Sequence, residues 1–131
     1  PGVKEFISQL KQHNIPTCIV TSSDDKKMEQ LFAHQPYFRE NFSNIITGDQ
    51  VTNSKPHPEC FLKGAQKIGV DIKDCLIFED SMQGITAGLA SGAKVIALST
   101  TCSIEQISTL TNVIIPGFKD FSLDVIPQLF D

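Results

Sequence analysis

Apolar residues in this chain follow two spacings. Val3, Phe6, Ile7 and Leu10 stand at i, i+3, i+4 and i+7, the period of a helix with one buried face. His13-Asn14 ends that pattern and Pro16 punctuates it. Thr17-Cys18-Ile19-Val20-Thr21 shows no polar alternation, so it predicts a short strand covered on both faces. Ser22-Ser23-Asp24-Asp25 follows, a hydroxyl-rich turn suited to capping a helix from about Asp25 to Phe32. His34 to Ser43, with Pro36 and several aromatics, reads as a loop, and Asn44-Ile45-Ile46-Thr47 as a strand ended by Gly48-Asp49. After a loop from Gln50 to Pro58, the stripe Phe61, Leu62, Ala65 and Ile68 predicts a helix that Pro58 opens and Gly69 closes. Cys75 to Phe78 is a strand that runs into Glu79-Asp80-Ser81 and then into a small-residue helix ending at Ser91-Gly92-Ala93. Lys94 to Leu98 is a strand. Ser103 or its neighbour caps a helix reaching Leu110, and Val113 to Ile115 is a last short strand before Pro116-Gly117. Leu123, Val125, Ile126 and Leu129 suit a terminal helix interrupted by Pro127.

Strands and helices thus alternate about five times. That order predicts an α/β fold with a mostly parallel sheet and right-handed crossovers. Sites in such sheets lie at the carboxyl ends of the strands. Thr21, Asp49 and Glu79-Asp80 occupy such ends, and Lys55 lies in a loop beyond one.

Composition narrows the classes. With 131 residues, the chain is read as one domain, 1–131, large enough for a single core. A mixed charge with net −4 argues against a nucleic-acid surface. No apolar run has the length of a membrane span, and no signal peptide opens the chain. Cys18, Cys60, Cys75 and Cys102 are scattered, with Cys18 and Cys75 inside predicted strands. No Cys-x-x-Cys or Cys/His ligand spacing occurs, so zinc and a disulfide framework are not expected and a reducing cytoplasm fits best. Pro1-Gly2 leads straight into a helical pattern with no start Met, as in a piece of something longer.

The chemistry begins at Glu79-Asp80. Neighbouring residues of a regular strand point to opposite faces, so the two acids converge on one ligand only where the strand ends. Two carboxylates about 4 Å apart repel by roughly 4 kcal/mol at an effective dielectric near 20. A hard cation such as Mg²⁺ turns that repulsion into attraction. The plain alternative is a solvated turn with Ser81 as a helix cap. Thr21 either donates to a phosphoryl oxygen, helped by the N–H groups of Ser22 and Ser23, or caps the next helix. Lys55 either places a point charge on a phosphoryl group or is a solvated loop lysine; the prolines at 56 and 58 stiffen its loop. Asp49 is read as a strand end and His57 as a helix-start residue, with His13 and His34 on the surface. Ser99-Thr100-Thr101 either lines a site rim or merely turns.

Val20-Thr21-Ser22-Ser23, then Ser54-Lys55-Pro56-His57-Pro58, then Phe78-Glu79-Asp80-Ser81 with Gly84 and Ser91-Gly92-Ala93 resemble three successive motifs of the haloacid dehalogenase-like superfamily. The branch is similar to the β-phosphoglucomutase and small-phosphatase group. The resemblance implies a three-layer Rossmann-like core, Mg²⁺, a small phosphorylated metabolite and an aspartate that becomes transiently phosphorylated. By motif match it implies that Thr21 binds the phosphoryl group, Lys55 stabilises its charge, and Glu79 and Asp80 serve the Mg²⁺. The superfamily's first motif, Asp-x-Asp, occurs nowhere in this chain. The first strand that carries it, and the helical cap that follows it, are also unmatched. The resemblance implies that this strand belongs in the middle of the sheet, between the strands ending at Thr21 and Phe78. The chain therefore resembles the C-terminal part of such a protein, with the N-terminal portion as its partner. Two alternatives stand beside a Mg²⁺-dependent phosphatase or mutase. One is a non-catalytic phosphate-binding or regulatory module without a nucleophile. The other is a phospho-accepting receiver domain, which chain order disfavours because Lys55-Pro56 precedes the acid pair.

Overall fold

The computed structural model describes residues 2–130. Helix α1 spans Val3–Gln12 and turns Phe6 and Ile7 inward, as its spacing requires. Strand β1 is only Ile19–Val20, and both residues are half-buried. Helix α2 is Asp25–His34; Asp24 caps it by accepting from the Lys27 N–H at 2.7 Å. A helix α3, Pro36–Asn41, stands where a loop is expected. Pro36 sits in its first turn, where a missing N–H costs nothing, so it opens a helix here. Strand β2 is Ile45–Ile46, and α4 is Glu59–Ile68, closed by Gly69 at φ 72°. The buried stripe of α4 is Cys60, Phe61, Gly64 and Ala65; Leu62 faces outward, 41% exposed. Strand β3 is Leu76–Glu79, α5 is Met82–Ser91 and β4 is Lys94–Leu98. Helix α6 covers only Ile104–Ile107, shorter than expected, and strand β5 is Ile114–Ile115. Helix α7, Ile126–Leu129, takes Pro127 in its first turn rather than being broken by it. Cys18 and Cys75 precede β1 and β3 rather than lying within them.

The fold is α/β with parallel strands, but the strands form two sheets. β1 pairs with β2, and β3-β4-β5 form a second sheet. No hydrogen-bonded strand links β1 to β3 among the described residues. One core nevertheless crosses the break. Ile46 of β2, Cys60 and Phe61 of α4, Ile77 of β3, Ile85 of α5 and Val95 of β4 belong to one buried cluster. Alternate residues of β3 and β4 face the other way, where Ile96, Leu76 and Phe78 meet Phe6 of α1. There Phe6 stacks on Phe118 at 5.4 Å and meets Phe121 edge-on at 5.1 Å. Helices therefore cover both faces of the larger sheet, which aims the ends of β3 and β4 at one edge. No helix among the described residues is long and apolar enough to cross a membrane.

Candidate active site

β3 ends at Glu79, and its side chain folds back over the start of α5. The carboxylate accepts from the Ser81 hydroxyl at 3.2 Å through Oε1 and meets the Lys55 ammonium at 3.0 Å through Oε2. Both partners of the ion pair keep only 10% of their side-chain surface exposed. Lys55 also lies 5.1 Å above the Phe61 ring, so an aromatic face from α4 shields the cation. Ser81 caps α5 by accepting from the Gly84 N–H at 3.0 Å. One hydroxyl thus caps a helix and holds a carboxylate at that helix's positive end.

Gly84 leaves the space that Glu79 fills. A Cβ at Gly84 would lie 2.1 Å from Glu79 Cδ and 2.3 Å from its Cγ. An alanine there must push the carboxylate off Lys55 or Ser81. In an exposed helix the same exchange gains about 1 kcal/mol of propensity. Gly84→Ala is therefore expected to lose stability, by about 1–3 kcal/mol, because a bonded carboxylate is displaced. A thermal melt checks this; an unchanged or raised midpoint would mean that Glu79 is not seated on Gly84.

Asp80 leaves the strand beside Glu79. Its Oδ2 accepts from the Thr101 hydroxyl at 2.6 Å, and that bond, above all, holds its carboxyl below the ordinary aspartate range. No ion pair reaches Asp80 among the described residues, whereas Glu79 has Lys55. So Glu79 is ion-paired with a largely buried lysine, while Asp80 feels that lysine at longer range and has no ion-pair partner of its own. No lysine or arginine is close in sequence to Asp80; the one that compensates Glu79 comes from 24 residues upstream.

Among the described residues no group of three or more His, Cys, Asp or Glu is placed to hold a metal. Glu79 and Asp80 are two hard oxygen donors, and Mg²⁺ is commonly held by one or two carboxylates with water and substrate oxygens. The donor set therefore fits Mg²⁺ as part of a shell, with Asp80 the freer donor.

Thr21 follows β1 directly. Its Oγ1 accepts from the Ser23 N–H at 3.1 Å, so that N–H is committed within the turn while the Thr21 proton remains available. The turn rests on Gly48: its N–H donates to Ser23 O at 2.8 Å, and a Cβ there would lie 2.5 Å from Ser22 O. Asp49 does more than end a strand, because its Oδ2 accepts from the Asp25 N–H at 2.9 Å and ties this loop to α2. Buried Thr47 donates to the Asp25 carboxylate from the same side. Lys55, Glu79 and Asp80 form one cluster with Ser81 and Thr101. No hydrogen bond joins Thr21, Ser22 or Ser23 to that cluster among the described residues.

The loop before α4 is built to hold Lys55. Glu59 accepts from the Thr52 N–H at 2.8 Å and the Asn53 N–H at 3.0 Å. Those two donors pull its carboxyl down to about 2. His57 Nδ1 accepts from the Glu59 N–H at 3.1 Å, the helix-start role its position suggests. The Lys55–Pro56 peptide is cis. A surface cleft of about 450 Å³ lies at the opposite strand ends beside Leu76 and Lys94 and shares nothing with this cluster.

A lysine paired with a strand-end carboxylate and a second acid beside it stand at the edge of the larger sheet, and a hydroxyl turn follows a strand of the smaller one. A family model described as haloacid dehalogenase-like hydrolase matches residues 1–98. The chain belongs to the haloacid dehalogenase-like hydrolases. It is 33% identical over 124 residues to the bifunctional riboflavin kinase/FMN phosphatase of Arabidopsis thaliana, covering 95% of this chain and 33% of that protein. It is 33% identical over 126 residues to a probable pseudouridine-5'-phosphatase of Drosophila melanogaster, covering 92% of this chain and 54% of that one. Among solved structures, a family IA, variant 3 member from Entamoeba histolytica superposes with a TM-score of 0.86 at 30% identity. That match covers 98% of this chain and 59% of the other. A β-phosphoglucomutase-like protein of Thermotoga maritima, at 22% identity and a TM-score of 0.83, shares the fold. The chain thus spans between a third and about three-fifths of the proteins it matches.

Two contributors to the site, Thr101 and Gly84, have no role readable from the sequence. Thr101 lay in a run of hydroxyls after a strand adjacent to β3, which is a signal, although it does not say which hydroxyl turns inward. Gly84 carried a motif match without a stated role.

Proposed function

We propose that this chain supplies the lysine-and-acid half of a Mg²⁺-dependent phosphotransfer site. The complete protein acts on a small phosphorylated metabolite as a phosphomonoester hydrolase or a β-phosphoglucomutase-like mutase. The observation that carries the reading is the largely buried Lys55–Glu79 pair beside Asp80, an acid without an ion-pair partner of its own among the described residues. Mg²⁺, when bound, neutralises charge on the phosphoryl oxygens. Asp80 anchors it, with Glu79 contributing where Lys55 leaves it free. Lys55, held in place by Glu79 and shielded by Phe61, puts a fixed positive charge where the phosphoryl oxygens spread negative charge. Thr21 donates its hydroxyl proton to a phosphoryl oxygen, and the Ser22 and Ser23 turn orients it. In the covalent step an aspartate from the N-terminal portion of the protein attacks phosphorus, the P–O bond to the metabolite breaks and its oxygen leaves as the protonated alcohol, and water or an acceptor hydroxyl then takes the phosphoryl group from the aspartyl phosphate. The setting is the reducing cytoplasm, supported by four free cysteines. The nearby reading, a phosphate-binding module without chemistry, draws on the absence of Asp-x-Asp from the chain; such a module binds Mg²⁺ and phosphate without turnover.

Asp80→Asn in the complete protein tests the metal half of this reading by calorimetric titration with Mg²⁺. Affinity is expected to fall by more than the roughly 10–100-fold typical of changes one shell further out. Unchanged affinity would remove Asp80 from the metal site.

A further inference from the structure

We infer that Thr101 is a positioning residue for Asp80: its hydroxyl fixes one carboxylate oxygen so that the other faces the cation. The inference rests on the metal reading of Asp80 given above. Thr101 Oγ1 donates to Asp80 Oδ2 at 2.6 Å. The other groups that reach the Asp80 carboxyl, Glu79 and its own backbone, belong to its own turn, so among the described residues Thr101 is the one hydroxyl that holds it from another element.

The donor sits in a turn pinned at both ends. Ser99 N–H donates to Ile115 O at 3.0 Å, which continues the β4–β5 ladder to the start of the turn. At the far end Ser103 and Gln106 form a reciprocal capping box, with the Gln106 N–H donating to Ser103 Oγ at 3.2 Å. Ile107 of α6 is fully buried and anchors that end in the core. A hydroxyl on a free loop would lose its bond to water competition. Here the backbone on both sides is already ordered, so the bond costs little further entropy. Asp80, by contrast, is the first residue beyond β3, outside the strand ladder. The one side-chain partner it has from outside its own turn is Thr101. Partners that orient ligating carboxylates are typically worth 10–100-fold in metal affinity.

The test uses the complete protein and Mg²⁺ alone, with no substrate, so that it reads binding rather than turnover. Thr101→Val removes the hydroxyl and keeps the shape. Its Mg²⁺ affinity by calorimetry is expected to fall roughly 10-fold, with an unchanged melting midpoint because residue 101 is exposed. Thr101→Ser is expected to restore affinity, and Thr100→Val, at an exposed neighbour, to leave it alone. Wild-type affinity in Thr101→Val, with Asp80→Asn still impaired, would overturn the positioning role and leave the metal reading standing. Wild-type protein that binds no Mg²⁺ would overturn both. If Thr101→Val melts early, Thr101→Ser decides: weakened binding in a normally folded serine variant would show that the hydroxyl alone does not set the affinity.

Discussion

Lys55→Met in the complete protein is expected to lower turnover by roughly 10²–10³, the usual loss when one preorganised charge contact to a developing anion is removed. The structure adds a second effect that the sequence alone does not suggest. Lys55 is no solvated loop residue; it shares a site with Glu79 in which each side chain is 10% exposed. Removing one partner of a buried pair leaves the other uncompensated, at a cost of about 3 kcal/mol. At 2–4 °C per kcal/mol for a protein of some 200 residues, the melting midpoint should drop by roughly 6–12 °C. The two effects separate in a double variant. Lys55→Met with Glu79→Gln removes both charges and should recover most of the midpoint while turnover stays low. Turnover that recovered with stability would mean that Lys55 acts only through folding.

The placement of Glu79, Asp80 and Thr21 at strand ends, and of Lys55 in the loop between β2 and α4, was legible in the sequence. Their partnerships were not. Lys55 and Glu79 are 24 residues apart and Thr101 and Asp80 are 21 apart, and no local period links them. The two-residue strands β1 and β2 were read longer than they are, because Thr17, Cys18 and Thr47 have strand propensity but no pairing partner to hold them in a ladder. The stretch His34 to Ser43 shows no apolar period that predicts a helix, yet Pro36 takes a first-turn position and opens α3. Leu62 was placed on the buried stripe of α4, whereas Cys60 and Gly64 occupy it, since small residues let α4 approach β1: a Cβ on Gly64 would lie 3.0 Å from Val20 Cγ2.

The break between β1 and β3 carries the second large expectation. Residues 1–131 expressed alone should melt without a sharp cooperative transition, or far below the complete protein. The apolar core spans the break through Ile46, Phe61 and Ile77, yet no strand joins the two sheets among the described residues. Groups of a strand edge left unpaired in a buried setting cost roughly 1–3 kcal/mol each. A few of them match the whole stability of an ordinary domain, about 5–15 kcal/mol. Half-buried Ile19 and Val20 fit an edge that needs covering. Supplying the N-terminal portion in trans should raise and sharpen the transition. A cooperative melt of the isolated chain, unchanged by that portion, would mean the two sheets are stable as they stand.

Turnover is the most direct measure of whether this chain is half of a phosphotransfer site. Residues 1–131 are mixed with p-nitrophenyl phosphate and Mg²⁺, first alone and then with the N-terminal portion. No hydrolysis by the chain alone is expected, and Mg²⁺-dependent hydrolysis once a portion carrying Asp-x-Asp is added. Mg²⁺-dependent hydrolysis by the isolated chain would contradict that expectation, and would place the nucleophile among the chain's own acids.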